Sequence, residues 1–249
     1  MPYHDHEFVS SSNNLLITEE LDFDRTTLLQ EFHQLLGSLT DEQRGVFDDI
    51  ITNVKQKKGD VFFVYGYGGT GKTFLWKTLY VALSSEGEIV LNVASSDIAS
   101  LLLTGGKTTH SQFIIPLNLT EDSFFSITPE SDVVELLKKT SLIIWDEAPM
   151  IHMHAFEALD RSLKDILGFD LRSNSKFPFG GKAIVFGGDF RQILSVVPNG
   201  SRQDIVNASI SSSYIWSNCK FLRLTKSMRL SLQTSNIEET TTFANSIWV

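Results

Sequence analysis

One glycine-rich segment constrains the fold of this 249-residue chain more than any other feature. Residues 66–73 read GYGGTGKT and fill the pattern G-x-x-x-x-G-K-S/T. The preceding residues 61–65 (VFFVY) form a run that is too short for a helix and rich in β-branched and aromatic side chains, which predicts a buried strand. Residues 73–80 have the apolar spacing of a helix. A strand, a glycine loop and a helix in this order predict a phosphate-binding P-loop.

The chemistry of this loop follows from its residue types. Glycines let the backbone adopt left-handed conformations and turn successive N–H groups towards a phosphate, and the start of the helix adds a positive dipole. Lys72 supplies a point charge and Thr73 a hydroxyl for Mg²⁺. The pattern therefore predicts a nucleoside triphosphate bound with Mg²⁺. The predicted phosphate-binding residues are Gly66, Gly68, Gly69, Thr70, Gly71, Lys72 and Thr73.

The length and composition of the chain exclude several classes of protein. With 42% hydrophobic residues, the chain can bury a substantial core. No stretch approaches the roughly 18 apolar residues that cross a bilayer, and the first residues carry neither a basic segment nor an apolar core. The single cysteine, Cys219, excludes an intramolecular disulfide and fits a reducing compartment. We therefore expect an intracellular protein with no membrane partner.

The net charge of −9 neither supports nor excludes a nucleic-acid partner. Residues 1–40 contain seven acidic side chains and one basic side chain, a net charge of −6, which leaves −3 for the remainder. A nearly neutral domain can still present a local basic groove, because affinity for phosphate depends on where Lys and Arg lie.

The order of predicted elements indicates the fold. Residues 1–38 are acidic and weakly patterned and predict an extension with at most a short helix around residues 27–36. The globular domain is expected to begin at residue 39, where Thr40 and Gln43 form a capping-box pattern. Residues 107–122 predict a long functional loop, and residues 128–139 a helix that starts with Pro129. The predicted strands are 61–65, 88–94, 141–145, 182–186 and 221–224.

Apolar strands that alternate with helices predict an α/β fold with a mostly parallel sheet and helices on both faces. Ligands of such sheets bind at the carboxyl ends of the strands. Asp146 and Glu147 follow one of these strands directly. We predict that Asp146 holds the metal and that Glu147 activates water, although an Asp-Glu pair also occurs in ordinary exposed loops.

Other polar residues allow both a functional and a structural explanation. Gln192, in the segment GGDFRQ after the fourth strand, could sense a γ-phosphate or belong to a plain glycine turn. Gln43 has an amide that could contact adenine, yet a capping box explains it without a ligand. His110 and Phe113 could contact a nucleic acid or support their own loop. His152 and His154 are predicted to be surface residues rather than metal ligands.

Six segments, taken together and in order, resemble the motifs of one family, the Pif-one-like DNA helicases of the RecD-like branch of superfamily one. These segments are LTDEQ at 39–43, the P-loop, VASS at 93–96 with GGKTTHSQF at 105–113, IIWDEAPM at 143–150, GGDFRQ at 187–192 and LTKSMRL at 224–230. The resemblance covers residues 39–230 and is more specific than any one motif.

The resemblance implies a RecA-like domain over residues 39–230 and ATP-driven 5′ to 3′ translocation on single-stranded DNA, with roles in DNA repair, recombination and telomere maintenance. It implies that Arg229 stabilises charge on the transferring phosphoryl group. It implies that Gln43 contacts adenine and that Lys72 and Thr73 bind phosphate and Mg²⁺. It implies that Asp146 serves the metal, that Glu147 serves the attacking water and that Gln192 senses the γ-phosphate. The DNA contacts that it implies are Ser95, Ser96, His110 and Phe113.

The sequence also departs from the family pattern. Asp97, Gln112 and Ser195 stand where the family usually has Gly, Arg and Pro. The segment 231–249 is expected to be too short for the second RecA-like domain that such helicases close over ATP, so the chain alone is expected to bind Mg-ATP and to unwind DNA poorly. A non-catalytic module that binds ATP or DNA, and a P-loop ATPase of another kind, therefore remain alternatives.

Overall fold

A computed structural model describes residues 14–116, 119–125, 131–168, 177–192 and 194–228. The helices are α1 (Leu15–Leu21), α2 (Arg25–Gly37), α3 (Asp41–Lys55), α4 (Lys72–Ser85), α5 (Asp97–Leu101), α6 (Thr109–Phe113), α7 (Asp132–Lys139), α8 (Met153–Gly168) and α9 (Arg202–Asn207). The strands are β1 (Val61–Gly66), β2 (Ile89–Ala94), β3 (Lys107–Thr108), β4 (Thr140–Asp146), β5 (Ala183–Gly188) and β6 (Cys219–Leu224).

The six strands form one sheet in the order β3-β2-β4-β5-β1-β6. Every described pair of neighbouring strands is parallel. The strand before the P-loop, β1, lies between β5 and β6, with Val61 opposite both Ile184 and Cys219. The predicted α/β fold with a parallel sheet is confirmed.

Each central strand is buried on both of its faces, which explains why the strands read as nearly continuous apolar runs. In β4, Ile143 and Trp145 belong to one hydrophobic core, whereas Leu142 and Ile144 belong to a second core on the opposite face. This alternation follows from the period of two in a strand.

Helices cover both faces of the sheet, as predicted. Ile50 of α3 and Leu75 of α4 are fully buried in the core on one face. Phe156 and Leu159 of α8 are fully buried in the core on the other face, together with Leu136 of α7. The packing of α4 against the sheet fixes the direction in which the P-loop leaves β1.

Two predicted boundaries differ from the structure. The long loop predicted for residues 107–122 contains β3 and α6, and β3 is a sixth strand that the apolar pattern did not indicate because it has only two residues. Helix α7, which precedes β4, begins at Asp132 in the structure, and the predicted helix start at residues 128–130 lies outside the described residues.

The predicted weakly structured extension is wrong for residues 14–37. Helices α1 and α2 occupy most of this range. Ile17 is buried in the core on the face where α1 packs against α7, and Phe32 stacks on Phe47 with ring centroids 6.0 Å apart. These helices pack because their few apolar side chains fill gaps between α3, α4 and α7, a tertiary effect that local patterning does not reveal. Residues 1–13 lie outside the described part of the chain.

Among the described residues, no helix is long and apolar enough to span a membrane. The predicted segment 231–249 and Arg229 lie beyond the part of the chain that the structure describes.

Candidate nucleotide-binding site

The candidate site lies at the carboxyl edge of the sheet, where β1, β5 and β4 end side by side. The P-loop follows Gly66 at the end of β1, and Asp146 ends β4. β5 lies between these two strands, and its glycine end, Gly187 and Gly188, pairs with β1. Parallel neighbours bring their carboxyl ends to the same edge. The sheet order therefore assembles residues that are 41 to 122 positions apart in the sequence.

The P-loop has a backbone that requires glycine. Gly69 and Gly71 have φ values of 92° and 80°, in the left-handed region. Helix α4 begins directly after Gly71, and no side chain forms a capping hydrogen bond at this end. The start of α4 therefore presents backbone N–H groups and the positive end of the helix dipole, which suits an anionic ligand.

Lys72 and Thr73 occupy the first turn of α4. The Lys72 side chain is only 8% exposed, and its Nζ donates to the carbonyl of Gly66 at 2.5 Å. Thr73 is exposed. The lysine charge thus lies inside the loop, whereas the next residue, Thr73, is open to solvent.

Asp146 is the buried carboxylate of the site, at 6% exposure. Its Oδ1 is buried and has no hydrogen-bond partner among the described residues. Burial raises the pKa of Asp146, and the charge of Lys72 opposes this rise. The Trp76 indole lies beside the carboxylate and also lowers its pKa, but its N–H forms no hydrogen bond of normal geometry within the described residues.

An unpartnered buried carboxylate oxygen is suited to a metal ion or to water held by one, and Mg²⁺ prefers oxygen ligands. Asp146 and the Thr73 hydroxyl therefore fit the predicted Mg²⁺ site. The described residues contain no cluster of three or more His, Cys, Asp or Glu side chains that could hold a metal. A Mg²⁺ ion here would take its other ligands from phosphate and water, as it usually does.

Strand β5 can lie close to Asp146 only because its residue Gly187 has no side chain. A Cβ atom at Gly187 would lie 2.7 Å from Oδ1 of Asp146 and 2.6 Å from Cζ2 of Trp76. Only glycine at this position leaves the carboxylate and the indole in place.

Glu147 follows Asp146 in a strained conformation. Its φ of 53° lies in the left-handed region, which is uncommon for residues other than glycine. Burial raises the pKa of Glu147, the neighbouring carboxylates of Asp146 and Asp189 raise it further, and Lys72 lowers it. Such strain is often found at functional sites, and a raised pKa suits a carboxylate that takes a proton.

We expect the substitution Asp146→Asn to stabilise the ligand-free protein at neutral pH. The folded-state pKa is raised, so the ionised carboxylate destabilises the fold above the unfolded value of 3.8. Removal of this buried negative charge is worth ~1 to 3 kcal/mol, which corresponds to a rise in Tm of at least ~2 °C. The Tm difference from the wild type should disappear as the pH falls below this value.

Thermal unfolding from pH 3 to pH 8 measures this effect, and addition of ADP with and without Mg²⁺ tests the metal role. We expect the extra stabilisation by Mg²⁺ to be lost in Asp146→Asn. A lower Tm than the wild type at pH 7 would show that the charge is favourable in the ligand-free fold and would contradict the prediction.

The structure assigns Gln43 a different role from the predicted adenine contact. Its side chain is only 1% exposed. Oε1 of Gln43 accepts the N–H of Thr40 at 3.0 Å, which completes the predicted capping box, and Nε2 donates to the carbonyl of Thr70 at 3.0 Å. In this conformation Gln43 links α3 to the P-loop and is not exposed to a base.

Gln192 lies close to the P-loop. Its Nε2 would be 4.0 Å from a Cβ atom placed on Gly68, and the side chain is exposed. The turn that carries it is closed by hydrogen bonds from the N–H groups of Gln192 and Arg191 to Asp189. The structure therefore brings Gln192 beside the phosphate loop, as a γ-phosphate sensor requires.

Three of the four predicted DNA-contacting residues lie at the same edge of the sheet. Ser95 follows β2 and accepts the indole N–H of Trp145 at 3.0 Å, and Ser96 caps α5 through the N–H of Ala99. Both serines are partly exposed, and His110 in α6 is exposed.

The structure contradicts the predicted contact between Phe113 and DNA. The ring is 0% exposed and lies in the core, with its centroid 6.0 Å from that of Trp145 and 6.1 Å from that of Phe125. Phe113 therefore supports the loop that carries His110. In the sequence, an aromatic ring is compatible both with a base contact and with core packing. Only the burial of the ring in the structure distinguishes these two roles.

Several residues of the site carry no sequence signal of their own. Trp76 packs beside Asp146, and Tyr67 and Glu42 bond the segment that follows β6. Trp76 and Tyr67 lie within or just after the P-loop, where a motif specifies the glycines and the lysine but leaves these positions free.

In this parallel sheet the P-loop follows β1, and the Asp146 carboxylate ends β4, which lies two places away from β1. This arrangement defines a RecA-like domain of the P-loop NTPase class. A model of the PIF1-like helicase family matches residues 38–249. The chain therefore belongs to the PIF1-like helicase family.

Individual relatives agree with this assignment. The chain is 31% identical over 197 residues to the ATP-dependent DNA helicase RRM3 of Saccharomyces cerevisiae, which covers 77% of this chain and 25% of the relative. It is 30% identical over 153 residues to the ATP-dependent DNA helicase PIF4 of Trypanosoma brucei brucei, which covers 59% of this chain and 18% of the relative. The chain thus spans a quarter or less of the length of these two relatives.

A solved structure shows the same fold. The chain matches the Pif1 helicase from Bacteroides, crystallised in complex with ADP-AlF3 and ssDNA, with a TM-score of 0.61 and 27% identity. The match covers 77% of this chain and 43% of the crystallised chain. The likeness confirms the predicted RecA-like architecture.

Proposed function

We propose that this chain is the ATP-binding part of a DNA helicase that couples hydrolysis of Mg-ATP to 5′ to 3′ translocation on single-stranded DNA. One observation carries the proposal. Lys72, the unpartnered oxygen of Asp146 and the strained Glu147 meet at one edge of the sheet. This arrangement joins a phosphate site, a metal site and a base for water.

Each residue has a separate role in the proposed reaction. The amide N–H groups of the P-loop and the Lys72 ammonium bind the phosphates. Thr73 and Asp146 would hold Mg²⁺, which supplies charge neutralisation on the phosphate oxygens when it is bound. Glu147 orients water and takes its proton, and Gln192, above Gly68, senses the γ-phosphate. Arg229 is proposed to stabilise the charge that develops on the phosphoryl group.

The DNA strand is proposed to pass over the ends of β2 and β3. Ser95, Ser96 and His110 supply partly exposed hydroxyls and an exposed imidazole at this edge. Such groups suit the phosphates and sugars of a single strand, whose contact does not depend on base sequence. The ssDNA named for the Bacteroides Pif1 complex supports the same class of partner.

The proposal also includes a cellular role. Relatives named as ATP-dependent DNA helicases support a role on DNA. We propose that this role lies inside the cell, in the nucleus or, as the alternative, in the mitochondrion. Repair, recombination and telomere maintenance are the processes proposed for the whole protein.

ATP turnover with and without a single-stranded oligonucleotide tests this function, together with strand displacement on duplexes that carry a 5′ or a 3′ tail. We expect turnover to rise when the oligonucleotide is added, and any unwinding to require the 5′ tail. An ATP turnover rate that does not change when the oligonucleotide is added would indicate a different P-loop ATPase. Nucleotide binding with no turnover under any condition would indicate a non-catalytic ATP- or DNA-binding module.

A further inference from the structure

A short segment after β6 lies across the P-loop. We call residues 225–228 the P-loop strap. The Tyr67 hydroxyl donates to the carbonyl of Thr225 at 2.7 Å, and the N–H of Met228 donates to the carbonyl of Gly69 at 2.8 Å. The strap is therefore bonded to the loop near both of its own ends.

Glu42, in the first turn of α3, holds the beginning of the strap. Its Oε2 accepts the N–H of Thr225 at 2.8 Å and the N–H of Lys226 at 3.1 Å, and its Oε1 accepts the hydroxyl of Thr225. Partial burial alone would raise the pKa of Glu42, but the bonds from Thr225 and Lys226 outweigh burial, so its pKa is lowered. The carboxylate is thus held in its charged form by the strap.

The strap and α3 together bind two consecutive carbonyl groups of the P-loop. The Gly69 carbonyl accepts from Met228, and the Thr70 carbonyl accepts from Nε2 of Gln43. In a trans peptide unit the C=O and the N–H point in opposite directions. Bonds that hold these carbonyls therefore fix the orientation of two peptide units. The N–H of Thr70 donates to the carbonyl of Tyr67 at 3.2 Å within the loop, and the N–H of Gly71 points away from Gln43.

The side chains of Met228 and Gln43 pack closely against each other beside Gly71. Sδ of Met228 lies 3.0 Å from Nε2 of Gln43. A Cβ atom at Gly71 would lie 2.3 Å from the same sulfur and 2.4 Å from the same nitrogen. A displaced strap would therefore remove the support of the P-loop on this side.

We propose that Glu42 is a positioning residue for phosphate binding, which acts through the P-loop strap to hold the carbonyl of Gly69, next to the Thr70 carbonyl that Gln43 holds. Glu42 does not touch the ligand itself. The strap also leads directly to Arg229, so the same carboxylate ties the phosphate loop to the segment that carries the proposed arginine. This inference rests on the proposed nucleotide site and adds a residue to it.

Three variants of the full chain test the inference. Glu42→Ala removes the acceptor of three hydrogen bonds, and we expect it to weaken Mg-ATP binding by about tenfold, because bonds to a charged acceptor are among the stronger ones. Glu42→Gln keeps an oxygen for the two N–H groups and an amide for the hydroxyl, so it should restore most of the affinity. Asp41→Ala is the matched control, since Asp41 is the exposed acidic neighbour in the same first turn of α3. It should change affinity by less than about twofold.

Amide hydrogen exchange gives a readout that a loss of overall stability would not produce. In Glu42→Ala, exchange should rise in the peptide that covers residues 225–228 and in the P-loop, whereas peptides from α8 should exchange as in the wild type. Titration with Mg-ATP and a Tm without nucleotide complete the set.

Two results would overturn the inference. One is equal loss of affinity in Glu42→Ala and Asp41→Ala, which would assign the effect to the charge at the helix start. The other is faster exchange of the strap with unchanged affinity, which would make the strap purely structural. Failure of the proposed nucleotide site itself is distinguishable, because the wild-type chain would then bind no nucleotide in the first titration.

Discussion

Replacement of Lys72 by alanine is expected to weaken the binding of Mg-ATP by roughly 10- to 100-fold. The ammonium lies inside the P-loop at 8% exposure, where a charge interacts with phosphate more strongly than in water. A charge-assisted hydrogen bond in such a site is worth roughly 1.5 to 3 kcal/mol, and 2.7 kcal/mol corresponds to a factor of about 100. Isothermal titration with Mg-ATP measures the effect directly.

Lys77→Ala is the matched control for this substitution. Lys77 lies on the same helix, but its ammonium is exposed and pairs with Glu31 at 2.7 Å. Exposed pairs contribute little, so this variant should bind Mg-ATP as the wild type does. If Lys72→Ala retained wild-type affinity, the assignment of the P-loop as the nucleotide site would fail, and with it both enzyme functions considered above.

Substitution of Glu147 by glutamine is expected to abolish most ATP turnover without loss of binding. The glutamine amide has the same shape but cannot take a proton, and general-base catalysis contributes typically ~10² to 10⁴ in rate. We expect turnover to fall by at least ~100-fold and the Kd for Mg-ATP to stay close to the wild-type value. Steady-state turnover in the presence of single-stranded DNA, compared with titration, separates the two effects.

The pH profile gives a second test of Glu147. Burial and two neighbouring carboxylates raise its pKa above the ordinary value of 4.5. Because the base must be ionised, turnover should fall as the pH drops through this raised pKa, and this acidic limb should be missing in Glu147→Gln.

Glu86→Gln serves as the control, since Glu86 follows the far end of α4 and forms an exposed pair with Lys55. A Glu147→Gln variant that kept wild-type turnover would remove this residue from the mechanism. It would leave Asp146 or bound water as the group that accepts the proton.

Much of the site could be predicted from the sequence because its parts are local. The glycines of the P-loop, Lys72 and the start of α4 lie within one short segment, and the phosphate chemistry needs only their spacing. Asp146 and Glu147 come directly after the strongly apolar run 142–145, and this position alone predicts that they lie at the end of a strand. The prediction of a parallel sheet then brought these two ends to one edge.

The rest could not be predicted because burial and long-range contacts decide it. Phe113 had the residue type of a base-stacking side chain, yet it packs against Trp145 in the core. Residues 14–37 had weak local patterning, yet Ile17 and Phe32 complete the packing around the domain. In each case the free energy comes from partners that are distant in the sequence.

The P-loop shows which features of the site follow from the local sequence and which require the tertiary structure. Its glycines permit the positive φ values of Gly69 and Gly71, which local sterics disfavour for residues with a side chain. The direction of its peptide units depends on Glu42, Gln43 and the P-loop strap, which lie about 30 residues before the loop and more than 150 residues after it. Local sterics follow from neighbours in the chain, whereas hydrogen bonds between distant segments exist only once the sheet has brought β1 and β6 together.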